Sequence, residues 1–555
     1  MKLFGNSGSE RADDPDTKDE GTLAEQGYKQ ELRRDWSLIH NFGVSFSIIS
    51  VITGVTTLFE YGLTTGGPGV MSIGWIVVSF FTLFAVDSSI WTRFETMADR
   101  CARRLKVGLA MAEIASAHPT SGGPYFWAAM LSPNNELAAF FSWTTGWINF
   151  VGQFAVTTGI TFGCANLIAT LATVKGTFVP TPGKILGIHA ALLISHGLVN
   201  TFGVHILRYL NNSSITFHSL GVFAFATAIV AKAPTHQSAK FVFATFYDGT
   251  GTPGWATTAS PAYVACIGIL MSQYTITGFD ASAHLSEETR NASWSAPLGV
   301  LTSIICSSVF GFFLILCLLF SIQDFDSTIA STVGQPVLQI LLDIFSEDGA
   351  IVLFTLVIIC VWHCGLFSMT SNSRMMFAFS RDHGIPRWFH YVDARFHSPV
   401  RTIWLAATLA FILALPSLGS SVAFAAATSI ATIALYVSYG LPILIGLIWH
   451  KNFKKGPFNL GVFSRPVALV ACLWIGFISI IFCLPNVDPV TSQTLNYTPV
   501  AVGIVALWTF GSWFAFARKY FTGPIRQIQA EEAGVDIDEP GALERAEIEG
   551  KIDKL

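Results

Sequence analysis

Long apolar runs separated by short polar stretches dominate the chain. A stretch of about 20 residues with few charges can cross the hydrocarbon core of a bilayer as an α-helix. Twelve stretches meet this criterion and predict twelve membrane spans, numbered here span 1 to span 12: 42–62, 73–84 resuming at 107–117, 137–161, 184–203, 214–233, 261–283, 297–322, 349–371, 402–416, 421–448, 466–484 and 498–517. The pattern predicts an all-α polytopic membrane protein.

Composition agrees with this interpretation and sets the boundaries of the membrane region. Hydrophobic residues make up 52% of the chain and charged residues 12%, whereas a soluble domain carries about 25% charged residues. The two ends are polar and rich in both signs of charge. We therefore expect a disordered cytosolic N-terminal tail over residues 1–35, a membrane domain over 36–517, and a cytosolic C-terminal tail over 518–555.

The orientation follows from the loops that carry Lys and Arg, because such residues concentrate on the cytosolic side. Placing the N-terminus in the cytosol assigns most of them to inner loops and the inner tail: Arg208, Arg290, Arg374, Arg381, Arg387, Arg395, Arg401, Lys451, Lys454, Lys455, Arg465, Arg518, Lys519 and Arg526. Outer loops then keep Lys175, Lys184, Lys232 and Lys240. Both termini are expected inside, and the pattern fits either the plasma membrane or the vacuolar membrane.

Span 2 is interrupted by a charged segment, residues 85–106. Its charged residues are Asp87, Arg93, Glu95, Asp99, Arg100, Arg103, Arg104 and Lys106. Each charge at the centre of a spanning helix costs about 2.5–3.5 kcal/mol on insertion scales. Without 85–106, the sequence FTLF would join VGLAMAEIASA in one helix of spanning length. We interpret 85–106 as an insertion, consistent with a retained intron translated in frame; the alternative is a genuine charged loop between two half-helices.

Spans 1 and 6 have centres that favour a break in the helix. Gly54 lies among β-branched residues in Ser50–Thr57, and Gly278 lies in a similar setting in Tyr274–Asp280. Glycine and β-branched residues lower helix propensity. Paired interruptions in two inverted repeats point to the binding site of a transporter. The alternative is that Gly and Thr simply mark tight helix contacts in the membrane.

Asp280 is the most informative acid, because a carboxylate within the membrane indicates function by default. It could pair with a substrate ammonium, take up a coupling proton or close an inner gate, or it could be an exposed acid at the interface. Further candidates are weaker: Glu60, Glu113 and His363, the polar and aromatic residues Trp143, Trp147, Asn149 and Gln153 of span 3, and Tyr436 and Tyr439 of span 10.

Other functional classes find little support in the sequence. The nine cysteines are scattered, mostly within apolar runs, and none forms a CxxC pair, so we expect neither a disulfide framework nor a metal site. An intramembrane enzyme would need clustered polar groups such as HExxH or paired aspartates on facing helices. We therefore expect no catalytic residues, no cofactor and no nucleic-acid partner; the partners are the lipid bilayer and a small solute.

Five stretches of sequence resemble one family of membrane proteins. They are Asn41–Gly54 (NFGVSFSIISVITG), Ala112–Trp127 (AEIASAHPTSGGPYFW), Gly278–Thr289 (GFDASAHLSEET), Ser371–Asp382 (SNSRMMFAFSRD) and Tyr436–Pro442 (YVSYGLP). They resemble, in order, the fungal amino acid/choline transporter family, whose members include γ-aminobutyrate and choline permeases, within the amino acid–polyamine–organocation superfamily. The chain departs from that pattern at 85–106 and at Glu60, where glycine is usual.

The resemblance implies a leucine-transporter-like fold, with twelve helices, a five-plus-five inverted repeat and broken helices 1 and 6. It implies alternating access, with γ-aminobutyrate or a related amino acid as the leading substrate, choline or polyamines as the alternative, and proton coupling as an option. It further implies a set of substrate-binding residues: Thr53, Gly54, Val55, Thr56, Thr275, Thr277, Gly278 and Phe279, with Asp280 in gating or coupling. A transport-inactive form caused by 85–106 is a third possibility.

Overall fold

The computed structural model describes residues 15–83, 107–176, 178–331, 333–419 and 423–524. In these ranges the twelve predicted spans are helical. From span 1 to span 12 the helices are Leu38–Ile49 with Val51–Thr57 and Phe59–Thr64, Gly67–Leu83 with Val107–Ala117, Asn135–Leu171, Pro182–Phe202, Val204–Thr216 with Phe217–Gly221 and Val222–Lys232, Pro261–Gly268 with Leu270–Thr275 and Ala281–His284, Ala292–Phe320, Glu347–Arg381, Val400–Ala414, Ala423–Ile448, Ser464–Ile481 and Thr498–Ala515.

The prediction of an all-α polytopic protein is confirmed. Among the described residues, ten helices are long and apolar enough to cross a membrane, and Gly67–Leu83 is a shorter apolar helix of span 2. Span 5 is longer than predicted, because its helix begins at Val204 and not at residue 214. The additional turns carry polar residues such as Arg208 and Asn211, so they do not belong to an apolar run.

Several helices begin at side-chain caps that satisfy free backbone N–H groups. Asn134 Oδ1 accepts the N–H of Leu137 at 3.0 Å at the start of span 3. Ser346 Oγ accepts the N–H of Gly349 at 3.3 Å at the start of span 8. Asn and Ser are among the preferred N-cap residues for this reason. The sequence thus fixes the points at which these long helices begin.

Burial separates central spans from peripheral ones. Most residues of spans 1, 3 and 10 are buried, whereas only a minority of the residues of spans 11 and 12 are. Large apolar side chains such as Ile480 and Leu507 remain exposed on the outer surface, where a bilayer would solvate them. The centre of the bundle is therefore formed by spans 1, 3 and 10 together with spans 6 and 8.

The spans pack in two groups. Span 7 packs on spans 1 and 2, while span 3 packs on spans 8 and 10 and span 4 packs on spans 8 and 9. Glycine permits the close approach of spans 2 and 7: a Cβ at Gly311 would lie 2.6 Å from Cη2 of Trp75. The Trp75 indole N–H donates to the carbonyl of Ser308 at 2.9 Å. This grouping agrees with the five-plus-five arrangement.

The two halves of span 2 meet end to end. Gly67–Leu83 and Val107–Ala117 pack against each other, and a Cβ at Gly108 would lie 3.7 Å from the carbonyl oxygen of Thr82. The prediction that 85–106 is an insertion falls on residues outside the described ranges. The two flanking helices are adjacent, which is the arrangement expected if 85–106 were inserted into one helix.

The expectation of a disordered tail over residues 1–35 is wrong for the described part, residues 15–35. Pro15–Glu25 is helical, and Leu23, Tyr28 and Trp36 are buried. We call the side of the bundle on which residues 15–36 lie the terminal face, and the opposite side the far face. These apolar and aromatic side chains are spaced along a charged segment and pack against the bundle. The charge content of the segment alone does not predict this packing.

The predicted C-terminal tail, residues 518–555, is described only up to residue 524. Phe521 is buried, and its ring centroid lies 5.1 Å from that of Trp143 on span 3. The start of this tail is therefore packed against the bundle on the terminal face, and its remainder lies outside the described residues.

Candidate functional site

Span 1 is broken at Ser50. The helix Leu38–Ile49 ends there, Val51–Thr57 begins after it, and Ser50 adopts φ 23° and ψ 81°. Positive φ is uncommon for a residue with a Cβ and marks local strain. The predicted interruption of span 1 is confirmed, but its position differs from the expected centre at Gly54, which lies within the second helical piece.

Gly54 has a different role from the one expected of it. A Cβ at Gly54 would lie 2.7 Å from Cβ and 2.8 Å from Cα of Thr275 on span 6. Real Cβ atoms do not approach other heavy atoms so closely. Glycine is therefore required here for the contact of spans 1 and 6, and not for a change of backbone direction.

The Ser50 side chain is held by span 5. Ser50 Oγ lies 2.7 Å from Nε2 of His218 and 2.5 Å from Oγ1 of Thr53. His218 Nδ1 lies 2.9 Å from the carbonyl oxygen of Ser214. Because a carbonyl only accepts, Nδ1 carries the proton and a neutral His218 accepts the Ser50 hydroxyl at Nε2. The break of span 1 is thus stabilised by a hydrogen bond between Ser50 and His218 of span 5.

His218 lies in a π-helical turn, Phe217–Gly221. Such turns inside α-helices often occur at functional sites. Sequence reasoning did not single out this residue. The available signal was a histidine inside an apolar span, since intramembrane ionisable residues are rare and usually functional.

Span 6 is broken at the predicted place. Its helix ends at Thr275, and the next helical piece, Ala281–His284, begins only after Gly278, whose φ is +97°. A Cβ at Gly278 would lie 2.5 Å from Cγ2 of Ile48 on span 1. Both the conformation and the close approach require glycine, so the expected break around Gly278 is confirmed.

Side chains from neighbouring spans satisfy backbone groups released at this break. The Tyr436 hydroxyl of span 10 donates to the carbonyl of Ile276 at 3.1 Å. Ser45 Oγ of span 1 donates to the carbonyl of Phe279 at 3.1 Å. An unpaired backbone group would be costly in a region without water, so these bonds stabilise the open backbone.

A small cavity of about 10 Å³ lies between the two breaks. A space of this size holds about one water molecule. No charged side chain occurs among the described residues that line it, which are Ile48, Ile49, Ser50, Thr53, Gly54, Val156, Ile160, Tyr274, Thr275, Thr277 and Cys364.

The structure places the predicted substrate residues in two groups. Four of the eight line the cavity: Thr53, Gly54, Thr275 and Thr277. The other four are buried around it or at the adjacent break: Val55, Thr56, Gly278 and Phe279. The carbonyl of Thr56 accepts the Gln335 amide at 2.7 Å, and the Phe279 ring packs on Tyr439 with centroids 5.1 Å apart.

Asp280 is fully buried beside the break of span 6. It is 1% exposed, and its Oδ2 accepts the Gln153 amide of span 3 at 2.7 Å. His284 Nε2 lies 3.2 Å from the same oxygen. The hypothesis of an exposed interfacial acid is therefore wrong, because the carboxyl group bridges spans 3 and 6 inside the bundle.

His284 lies between the Asp280 carboxyl group and the carbonyl of Ser121. His284 Nδ1 lies 2.8 Å from the carbonyl oxygen of Ser121, so Nδ1 is protonated. Its Nε2 faces Oδ2 of Asp280 at 3.2 Å, and both side chains are buried. The pair therefore links span 6 to the segment that follows span 2.

The terminal face is closed by buried ion pairs. Arg381 donates to both carboxylate oxygens of Glu287 at 3.1 Å, and Arg374 Nε donates to Glu288 at 2.8 Å. All four side chains are buried. These contacts join span 8 to the segment after the break of span 6, and breaking one would leave a buried charge unpaired.

Residues 15–36 cover this closed face. The Tyr28 hydroxyl donates to the Asp382 carboxylate at 2.8 and 3.0 Å, and the Arg381 guanidinium lies 3.7 Å from the centroid of its ring. Burial, followed by the negative charge of Asp382, raises the pKa of Tyr28 well above its ordinary value. Tyr28 therefore stays neutral and keeps its donor proton.

The segment also bonds to the backbone beyond span 6. The Gln30 amide donates to the carbonyl of Glu287 at 2.8 Å, and Arg34 donates to the carbonyl of Thr289 at 2.9 Å. Asp19 accepts the N–H of Asn291 at the start of span 7. One segment therefore bonds to the ends of spans 6, 7 and 8 on this face.

A bundle with two broken helices side by side, a small cavity between them and a buried Asp–His pair next to it is typical of a solute transporter. Comparison with known proteins gives the family. The family model described as "Amino acid permease" matches residues 105–507, and the chain belongs to this family.

Plant and yeast permeases are similar over nearly the whole chain. The amino-acid permease BAT1 homolog of Oryza sativa is 41% identical over 523 residues, which cover 91% of this chain and 95% of the relative. BAT1 of Arabidopsis thaliana is also 41% identical, with 91% and 96% covered. An uncharacterized amino-acid permease of Schizosaccharomyces pombe is 32% identical, with 92% and 91% covered. The chain is therefore a multi-pass amino-acid transporter and not an enzyme.

Proposed function

We propose that this permease carries γ-aminobutyrate or a related amino acid by alternating access, with both termini in the cytosol. The observation that carries the proposal is the pairing of the two breaks, at Ser50 and at Ile276–Asp280. Broken helices expose backbone groups that can bind a polar solute in the middle of a membrane. The two pieces of each span can also tilt separately, which alternating access requires.

The lining of the cavity favours a substrate that carries a carboxylate. Backbone N–H groups at a helix start attract anions, and the hydroxyls of Ser50, Thr53 and Thr275 lie beside the break of span 1. A cation such as choline or putrescine would need carboxylates or several aromatic faces. The described lining offers one aromatic residue, Tyr274, and no acid.

We further propose that Asp280 couples transport to protons. Its carboxyl group is buried next to the break, and its Oδ2 lies 3.2 Å from Nε2 of His284. A conformational change that opens the terminal face would admit water to this pair and change which of the two groups holds the proton. Release of the proton on the terminal face would drive the transport cycle in one direction.

Uptake by the full chain in proteoliposomes tests the substrate assignment. Labelled γ-aminobutyrate, alanine, choline and putrescine are offered with and without an inward proton gradient. We expect accumulation of γ-aminobutyrate or alanine that increases with the gradient. Accumulation of choline or putrescine alone would replace the substrate assignment, and uptake insensitive to the gradient would remove the role of protons.

A transport-inactive form is the second candidate, because residues 85–106 interrupt span 2. The same assay on a chain lacking 85–106 separates the two proposals. Activity of the shortened chain alone would assign the full chain to the inactive form. Activity of both would show that the segment is tolerated.

A further inference from the structure

Residues 15–36, which we call the strap, are anchored at one end to the start of span 7. Asp19, in the helix Pro15–Glu25, accepts the N–H of Asn291 at 2.5 Å and that of Ala292 at 3.2 Å. A carboxylate at the N-terminus of a helix is stabilised by the free N–H groups and by the positive end of the helix dipole. The strap is therefore fixed to span 7 by a charge-assisted contact.

The other end of the strap is anchored to the segment that joins spans 6 and 7. Trp36 and Thr289 form a parallel bridge. In it, the Trp36 N–H donates to the carbonyl of Glu288 at 3.0 Å, and the Arg290 N–H donates to the carbonyl of Trp36 at 2.9 Å. Arg34 donates to the carbonyl of Thr289 at 2.9 Å. Both anchors lie on the side of spans 6 and 7, so the strap moves with these spans.

Two side chains attach the strap to the other side of the terminal face, at span 8. The Tyr28 hydroxyl donates to Asp382 at the end of span 8, and Glu31 Oε2 lies 3.0 Å from Nε2 of His390 in the loop that follows. We call these two contacts the latch. Span 7 packs on spans 1 and 2, whereas span 8 packs on spans 3, 4 and 9. The strap therefore crosses the boundary between the two groups of spans.

We propose that the strap is an autoinhibitory lock whose latch must open before the terminal face can open. Alternating access moves one group of spans against the other around the substrate site. A strap that is anchored on one group and latched to the other resists this movement. The anchors are made mostly of backbone hydrogen bonds and the latch of two side-chain contacts, so the latch gives way first. This regulation rests on the proposed transport function.

Contacts continue from the latch to the break of span 6. Arg381 lies against the ring of the latch tyrosine and donates to Glu287, which also accepts the N–H of Ser121 at 2.9 Å. The carbonyl of Ser121 lies 2.8 Å from Nδ1 of His284, whose Nε2 faces Asp280. The latch is thus adjacent to the ion pairs that close the terminal face, and these reach the carboxyl group beside the break.

A crosslink across the latch tests the lock in the full chain. Glu31→Cys and His390→Cys are joined by a membrane-permeable bis-methanethiosulfonate reagent in proteoliposomes, and uptake of labelled γ-aminobutyrate and alanine is compared before and after the reaction. We expect uptake to fall at least tenfold and to return when the crosslink is reduced. Full uptake with the latch crosslinked would overturn the proposal.

The control crosslink joins the strap to its own anchor. Asp35→Cys and Arg290→Cys replace exposed residues on either side of the bridge at Trp36. Because these positions move together, we expect the same reagent to leave uptake unchanged. Equal loss of uptake in the two pairs would overturn the distinction between anchor and latch, and with it the proposal.

Opening of the terminal face is also measured without any transport. Ser286→Cys is buried behind the closed face, and a water-soluble maleimide labels it when the face opens. We expect Glu31→Ala to raise the labelling rate about two- to fivefold, because a partly exposed ion pair contributes little. Asp35→Ala, on an exposed acid of the same strap, should leave the rate unchanged. Equal rates in the two variants would overturn the latch.

The maximum rate of uptake separates a lock from a structural support. Glu31→Ala should raise this rate while the melting temperature stays nearly unchanged. A lower rate together with a lower melting temperature would assign the contact to stability alone and overturn the lock. If no form of the chain transports either amino acid, the proposed function fails, and the labelling rates still decide whether the strap holds the terminal face closed.

Discussion

Gly54 of span 1 lies directly against Thr275 of span 6, so closely that a Cβ at Gly54 would be 2.8 Å from the Thr275 Cα. This contact joins the two broken spans at the centre of the protein. Gly54→Ala should therefore force them apart, at a cost of about 1–3 kcal/mol for overpacking, and reduce uptake strongly.

Gly476→Ala is the matched control, because it lies on a helix with nothing within 4 Å of the added Cβ. It should leave uptake unchanged and slightly favour the helix. Melting temperature and initial uptake rate measure both variants. Wild-type behaviour of Gly54→Ala would contradict the close contact.

His218 holds the break of span 1 through Ser50. His218→Ala should remove one of the two partners of the buried Ser50 hydroxyl, leaving Thr53, and cost about 0.5–1.5 kcal/mol for the lost hydrogen bond. We expect a lower melting temperature and slower uptake. His236→Ala, on an exposed histidine of the far-face loop, serves as the control, and equal effects of the two substitutions would argue against a positioning role for His218.

Asp280→Asn tests proton coupling separately from binding. The amide keeps hydrogen-bonding capacity towards Gln153 but cannot exchange a proton with His284. We expect exchange of labelled for unlabelled substrate to continue, while the stimulation of uptake by an inward proton gradient is lost. Glu60→Gln should keep that stimulation. Full stimulation in Asp280→Asn would rule out this carboxyl group as the coupling site.

Tyr28→Phe tests the cover of the terminal face. It removes the hydroxyl that donates to Asp382, and a hydrogen bond to a charged group contributes about 1.5–3 kcal/mol. We expect a lower melting temperature and faster labelling of a cysteine placed at Ser286 by a water-soluble reagent. Tyr209→Phe, on an exposed ring, should change neither. If residues 15–36 had no role in closing the terminal face, the cysteine at Ser286 would be labelled at the same rate in both variants.

Deletion of 85–106 tests the insertion hypothesis. Because Gly108 lies beside the carbonyl of Thr82, the joined helix should continue in register and place Glu113 correctly against Leu460 and Ser464. Deletion of 85–105 leaves one residue more and rotates the second half by about 100°. We expect the first deletion to fold and transport, and the second to fail. Equal behaviour of the two would contradict a register set by adjacent half-helices.

The sequence by itself determined the membrane architecture. The apolar runs placed twelve spans, since a bilayer requires long apolar helices and rejects most charges. It also located the break at Gly278, because glycine among β-branched residues is a local signal. Asp280 was identified for a similar reason, as an acid within an apolar run.

Only the tertiary structure decided what each of these residues contacts. Gly54 proved to be a point of helix contact while Ser50 bears the break, where its hydroxyl is hydrogen-bonded to His218 on another span. Asp280 is held inside the bundle by contacts with Gln153 and His284. Residues 15–35 were expected to be disordered, yet Tyr28 is buried against span 8. Such contacts join residues far apart in the chain, and no local pattern of hydrophobicity or charge encodes them.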